Sequence, residues 1–193
     1  MNKESISDNT NVWMQVTCGS MIKLDSPVTK HRLHSFDVNY GTGSGQQAVV
    51  GSSEHNSIQS MWIVRSDGCA QGQSIVAGTP VRLQHAQTGK WLHSHLFPSP
   101  LTGGHHQEVS CFGSSEESDT GDVWVVEWDD GKQKHWVRDM PIRIKHKDTG
   151  AYLSNHGKTY PRPIAGHSEI FAVKNKKGKE QTFSAGEGVY FSS

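Results

Sequence analysis

The sequence predicts an all-β fold built from three similar units. Short runs in which apolar and polar residues alternate, such as residues 81–85 and 142–146, are typical of strands with one buried face. Twenty glycines, seven prolines and many short clusters of Ser, Thr, Asn and Asp separate these runs. No stretch has the apolar spacing of a helix over several turns. We therefore expect strands and turns with little helix.

The internal repeat is carried by three blocks that align without a gap, residues 22–35, 81–94 and 142–155. Each block begins with an apolar–basic–apolar triplet, continues through a polar turn and ends on a leucine with two small or polar residues. This pattern predicts one β-hairpin per unit. The repeated motif residues are Leu33 with His34, Leu92 with His93, and Leu153, which a serine follows.

A later strand in each unit is centred on an aromatic residue: Trp62, Trp124 and Phe183. The units are spaced by 59 residues (Leu24 to Leu83) and 61 residues (Leu83 to Ile144), so three of them fill the chain.

Three such units commonly close into one kind of all-β domain. A propeller typically needs at least four blades, whereas three units close as a β-trefoil, which removes the sheet edges. We expect one trefoil domain over residues 14–193, with units at about 14–73, 74–135 and 136–193. Residues 1–13 are expected to be disordered or foreign to the natural chain. The motif leucines and the aromatic residues are expected to share the core.

Composition argues against two classes of partner. Nineteen basic residues balance nineteen acidic ones, so the chain lacks the charge that attracts nucleic acid or an anionic membrane. No apolar run approaches the roughly 20 residues that span a bilayer. The polar residues at the start do not resemble a signal peptide, and the last residues contain no retrieval tetrapeptide.

Several motifs resemble a known family. Residues 82–85 (Arg-Leu-Gln-His) and 92–95 (Leu-His-Ser-His), followed by Trp124, resemble a MIR repeat. Further motifs occur in the order found in the stromal cell-derived factor 2 family, whose members consist of three MIR repeats. They are residues 16–20, 32–35, 40–47, 99–110, 136–139 and 162–166.

This resemblance implies a non-enzymatic protein of the endoplasmic reticulum lumen that needs no cofactor. Family membership further implies work beside a lumenal J-domain co-chaperone and BiP, on O-mannosylated or misfolded clients. The alternative hypothesis is a carbohydrate-binding module for mannose-type glycans.

The residues offer no recognisable catalytic motif. There is no G-x-S-x-G sequence, and residues 116–122 are typical of a solvated acidic loop. His34 and His93 are expected to donate a hydrogen bond to a backbone carbonyl. His93 and His95 could chelate a metal from one face of a strand, but no acidic residue or cysteine stands at a matching offset. We expect no metal site and no catalytic residue.

Candidates for ligand or partner binding are aromatic and arginine residues outside the repeat's core positions. They are Trp91, Trp136, Arg138, Arg162 and, from the hairpin, His95. Local packing is the alternative for each, and specific function is expected in residues 94–106 and 128–139, where the units differ most. Cys18 and Cys69 flank the first unit and could form a disulfide, with three reduced thiols as the alternative.

Overall fold

The computed structural model describes residues 13–175 and 178–192. The predicted extra segment, residues 1–13, lies almost wholly outside the described residues. Among the described residues, no helix has the length and apolar character needed to cross a membrane.

Twelve strands and three short 3-10 helices make up the described regular structure. The strands are β1 (Met21–Asp25), β2 (Arg32–Asn39), β3 (Gln47–Ser52), β4 (Trp62–Arg65), β5 (Pro80–His85), β6 (Trp91–Pro98), β7 (Gln107–Phe112), β8 (Trp124–Glu127), β9 (Arg143–His146), β10 (Tyr152–Thr159), β11 (Ser168–Val173) and β12 (Ser184–Val189). The 3-10 helices, Ile58–Ser60, Thr120–Asp122 and Lys179–Gln181, each precede the last strand of a unit.

Six of the strands close into a barrel. All pairings are antiparallel: β1 pairs with β12 and β4, β5 pairs with β4 and β8, and β8 pairs with β9. A bridge between Ile142 and Phe183, just before β9 and β12, completes the ring. Closure leaves the barrel strands without a free edge.

The other six strands form three hairpins that cap the barrel. They are β2–β3, β6–β7 and β10–β11. Strands β3, β7 and β11 also pair with one another, so they form a triangle around the pseudo-threefold axis. This arrangement is the predicted β-trefoil, but the cap hairpins are not the predicted ones. Each aligned block joins a barrel strand to a cap strand, and the two strands pair at a single position, such as Asp25 with Arg32.

The repeated aromatic residues tie the barrel to the cap. Trp62 and Trp124 are fully buried, and their indole N–H groups donate to the backbone carbonyls of Leu33 and Leu92 at 3.0 and 2.8 Å. Buried polar groups are almost always hydrogen-bonded, so each tryptophan fixes its hairpin at one point. Phe183 is also fully buried but has no donor to offer. Leu153 is fully buried like the other two motif leucines.

The far end of the barrel is closed by three short segments, residues 15–17, 74–76 and 135–137. Bridges join them in a ring, from Gln15 to Val137, from Thr17 to Ser74 and from Val76 to His135.

The central residues of these segments correct one prediction. Val16, Ile75 and Trp136 each stand six residues before the first apolar residue of a hairpin block, and all three are buried. Trp136 has no exposed surface, so its assignment to a binding surface was wrong. The larger side chain fills the barrel end where the other units place Val and Ile.

One disulfide lies within the first unit. Cys18, beside the buried Val16, is bonded to Cys69 in the turn after β4, with 6.2 Å between the Cα atoms. Cys111 is a free, buried thiol, and burial raises its pKa to about 12. Cys111 is therefore an uncharged core residue at physiological pH.

Candidate binding groove

An open groove of about 780 Å³ runs along the second unit. One wall is the end of β6, where Leu96 is 78% exposed and Phe97 is 49% exposed. The lining also includes Asp119 and Asp148, together with Lys174 from the third unit. Apolar and acidic side chains thus line the same groove.

The apolar wall has no counterpart in the other units. Where unit two places Leu96 and Phe97, unit one has Asp37-Val38 and unit three has Gly157-Lys158. This pair was not predicted, because the aligned blocks end at residues 35, 94 and 155, just before the positions where the units differ. Residues 94–106, one of the two divergent segments, do contribute to the groove.

The floor of the groove is built on the 3-10 helix Thr120–Asp122. Asp119 caps it by accepting the N–H of Gly121 at 2.8 Å, and Asp122 accepts the N–H of Asp119 at 2.8 Å. The second oxygen of Asp122 lies 2.9 Å from His93 Nδ1. Asp122 is fully buried, so the prediction of a solvated acidic loop is wrong at this residue.

In each unit a side chain of the cap hairpin is hydrogen-bonded to a side chain of the 3-10 helix, but the residue types differ. His34 bonds Ser60 at 2.9 Å in unit one, and in unit three Gln181 donates to Ser154 at 3.2 Å. The prediction that His34 and His93 bond a backbone carbonyl is therefore wrong. Their partner is instead a side chain, Ser60 or Asp122, two residues before the core tryptophan.

Two other histidines do bond backbone carbonyls. His85 Nε2 lies 3.0 Å from the carbonyl of Gln59, and His146 Nε2 lies 2.9 Å from that of Gly121. Each also packs beside the core tryptophan of the preceding strand.

Neighbouring units are joined by buried carboxylates. Glu108 on β7 is fully buried and accepts from the backbone and hydroxyl of Ser44, in the loop of unit one, and lies 2.9 Å from His95 Nε2. Burial raises the pKa of Glu108, but the hydrogen bonds from His95 and Ser44 outweigh it, so its pKa lies below the ordinary value. His95 is therefore held between the groove and an inter-unit contact.

Unit three repeats this contact, whereas unit one replaces it. Glu169 on β11 accepts from the loop of unit two and lies 3.3 Å from His156. The equivalent residue in unit one is Ala48, which packs with Tyr160 and Ile164 from the loop of unit three. The strand therefore carries a glutamate where the neighbouring loop offers polar donors, and an alanine where the neighbouring loop is apolar.

The remaining predicted binding residues do not gather at the groove. Trp91 is 8% exposed and donates its indole N–H to the carbonyl of Ser114 at 2.7 Å, so it is a packing residue. The guanidinium of Arg138 lies 4.6 Å from the centre of the Tyr190 ring. Arg162 is exposed beside a separate cavity. Only His95 of the five lies in the groove.

Acid is expected to weaken the fold through His34. Burial, followed by repulsion from His167 and His85, lowers its pKa from 6.5 to about 4. The unfolded chain takes up this proton near pH 6.5, so the stability is complete above that pH and falls as the pH drops toward 4. The loss between pH 7 and pH 5 is about 2 kcal/mol.

Urea unfolding at the two pH values measures this loss. His34→Gln should flatten the pH dependence by about that amount, because glutamine does not titrate. His105→Gln, at an exposed histidine, should leave it unchanged. Equal slopes in the wild type and His34→Gln would contradict the assignment.

The comparisons with known proteins decide the family. The family model described as the MIR domain matches residues 32–183. The stromal cell-derived factor 2-like protein of Arabidopsis thaliana is 45% identical over 182 residues, which cover 92% of this chain and 81% of the relative. The chain belongs to the stromal cell-derived factor 2 family.

Solved structures agree with this membership. The crystal structure of the SDF2-like protein from Arabidopsis thaliana has a TM-score of 0.88 at 44% identity, over 92% of this chain and 98% of that one. The protein O-mannosyltransferase Pmt1–Pmt2 complex of S. cerevisiae, bound to its sugar donor, contains a region with a TM-score of 0.85 at 28% identity. That region covers 92% of this chain and 26% of the transferase chain.

A more distant likeness concerns the fold alone. The BEL beta-trefoil has a TM-score of 0.60 at 13% identity, over 93% of this chain and 99% of that one. The predicted trefoil and the predicted family are both confirmed.

Proposed function

We propose that this protein is a non-catalytic adaptor of the endoplasmic reticulum lumen that binds chaperone partners or client proteins in folding and glycoprotein quality control. The observation that carries the proposal is the match to stromal cell-derived factor 2 proteins over nearly the whole chain. By that resemblance the partners are a lumenal J-domain co-chaperone and BiP, and the clients are O-mannosylated or misfolded proteins.

The groove of unit two supports a binding role. Leu96 and Phe97 expose apolar surface at the centre of a concave face, and such surface is typical of partner sites. Two of the carboxylates available for hydrolysis, Glu108 and Asp122, are fully buried and hydrogen-bonded to their neighbours. Their burial and hydrogen bonding favour a structural role over a catalytic one.

The disulfide supports the proposed compartment. Disulfides persist in oxidising environments such as the endoplasmic reticulum lumen and are rare in the cytosol. The Cys18–Cys69 disulfide would therefore persist in the proposed compartment.

A pull-down tests the adaptor proposal. The purified full-length protein should enrich a J-domain co-chaperone from an extract of endoplasmic reticulum lumen. Replacement of Leu96 and Phe97 by alanine should weaken that binding at least about tenfold if the groove is the partner site. Val38→Ala, at the position in unit one equivalent to Phe97, is the matched control. Recovery of cytosolic partners alone would overturn the proposal.

Carbohydrate binding is the second candidate. An exposed aromatic ring, Phe97, lines the same groove as Asp119 and Asp148, and sugars are bound by stacking on rings and by hydrogen bonds to carboxylates. Isothermal titration with mannose and short mannosides at millimolar concentration tests this function. Binding that Phe97→Ala abolishes would support it, and no heat of binding would exclude it.

A further inference from the structure

We propose that His93, Asp119 and Asp122 bind a divalent cation of the Zn²⁺ class at the floor of the groove. This proposal does not rest on the adaptor function, and it shares Asp119 with the candidate sugar site. The sequence analysis expected no metal here because no acidic residue lies near His93 in sequence. The fold brings the two aspartates to it from the 3-10 helix of the same unit.

The distances suit a small cation. His93 Nδ1 lies 2.9 Å from Asp122 Oδ1 and 3.5 Å from Asp119 Oδ1. Ligand atoms around a tetrahedral Zn²⁺ with bonds of about 2.1 Å lie about 3.4 Å apart, and both of these separations are within about 0.5 Å of that value. Nδ1 would bind the cation through its lone pair, and a water molecule from the groove could complete the coordination.

The carboxylates are already oriented for this role. The backbone N–H of Asp119 holds one oxygen of Asp122, and the N–H of Gly121 holds Asp119. Partners of this kind fix the direction of metal ligands and are a regular part of metal sites.

Unit one shows that the fold does not need these charges. Its 3-10 helix is capped by Ser57, and Ser60 bonds His34, so uncharged side chains perform both tasks there. Unit two places Asp119 and Asp122 at the same positions. A fully buried carboxylate such as Asp122 is costly unless its charge is compensated, and unit two places a second carboxylate, Asp119, in the same cluster. A divalent cation would compensate both carboxylates.

Access to the histidine also changes between these units. Unit one has Gln59 where unit two has Gly121, which lines the groove together with His93 and Asp119. A Cβ atom at residue 121 would lie 2.3 Å from Cε1 of His93, so glycine is required for the ring to occupy this place. Unit two therefore differs from unit one both in the charge of the residues around its histidine and in the size of the residue packed against the ring.

A second cluster, His106, His156 and Glu169, does not have the same capacity. One oxygen of Glu169 accepts from Ser99, Leu101 and Thr102, and the other from the Thr102 hydroxyl and His156. These donors occupy the lone pairs that a metal would need.

Isothermal titration of tag-free, EDTA-treated protein with ZnCl₂ tests the site. We expect saturable binding of one equivalent in the wild type. Asp119→Asn keeps the helix cap because Asn caps as well as Asp, and Asp122→Ser installs the residue that unit one already uses. Each should weaken binding at least about tenfold, whereas Asp148→Asn, which removes another carboxylate from the groove, should change it less than about twofold.

Circular dichroism in EDTA must show that the variants remain folded. Co²⁺ provides a second readout, since a tetrahedral site gives intense visible absorption that Asp119→Asn should remove. The proposal is overturned if Zn²⁺ does not saturate the wild type. It is overturned equally if all four proteins bind alike, because that result identifies adventitious binding by other histidines.

Discussion

Loss of the Cys18–Cys69 disulfide should lower the free energy of unfolding by about 4 kcal/mol. The bond joins residues separated by 51 positions, and closing a loop of that length restricts the unfolded chain by roughly this amount in the chain-entropy description. Cys18 directly follows residues 15–17, the segment that closes the far end of the barrel. Its release therefore frees the start of the domain as well.

Urea unfolding of the wild type with and without dithiothreitol measures this effect. The double variant Cys18→Ala/Cys69→Ala should resemble the reduced wild type, and its stability should not respond to the reductant. Equal stability of the oxidised and reduced wild type would contradict the expected effect. The response of the double variant separates the disulfide from Cys111, which reductant leaves as a thiol.

Glu169→Ala should destabilise the protein by about 3 to 5 kcal/mol. The carboxylate is fully buried and accepts from the backbone N–H groups of Leu101 and Thr102, both at 3.0 Å, in the loop of the preceding unit. Alanine leaves those donors without a partner in the interior. Alanine is tolerated at the equivalent position of unit one because the loop it faces is apolar.

Thermal and urea unfolding measure the change, and two variants interpret it. Glu169→Gln retains one acceptor oxygen for the backbone donors, so it should lose less, about 1 to 3 kcal/mol. Glu116→Ala, at an exposed acidic residue, should stay within about 0.5 kcal/mol of the wild type. A Glu169→Ala protein as stable as Glu116→Ala would show that the loop does not depend on this carboxylate.

The fold was predictable because the three hairpin blocks align without gaps and because period-two alternation specifies strands. The sequence also placed the core aromatics Trp62, Trp124 and Phe183 at equivalent positions, and all three are buried. Trp136 was predictable in principle. Its spacing from Ile142 equals that of Val16 from Ile22, but the hairpin alignment was not extended that far toward the N-terminus.

The groove was less predictable because its residues come from four places in the chain. Residues 93–98, residues 119–121, a third-unit turn with Asp148, and Lys174 meet only after the hairpin of unit two has packed against the 3-10 helix and the third unit. The bond between His93 and Asp122 spans 29 residues. Periodicity reports which face of a strand is buried, but it does not report which distant side chain lies beside it.

The pairing of β1 with β12 has a consequence for synthesis. Met21 lies opposite Val189, so the first strand of the barrel receives one of its two neighbours only when the last strand has been made. A chain emerging from the ribosome from its N-terminus therefore keeps one edge of β1 open until β12, about 160 residues later, has been made. Long-range closure of this kind slows folding and leaves a strand edge available to other chains.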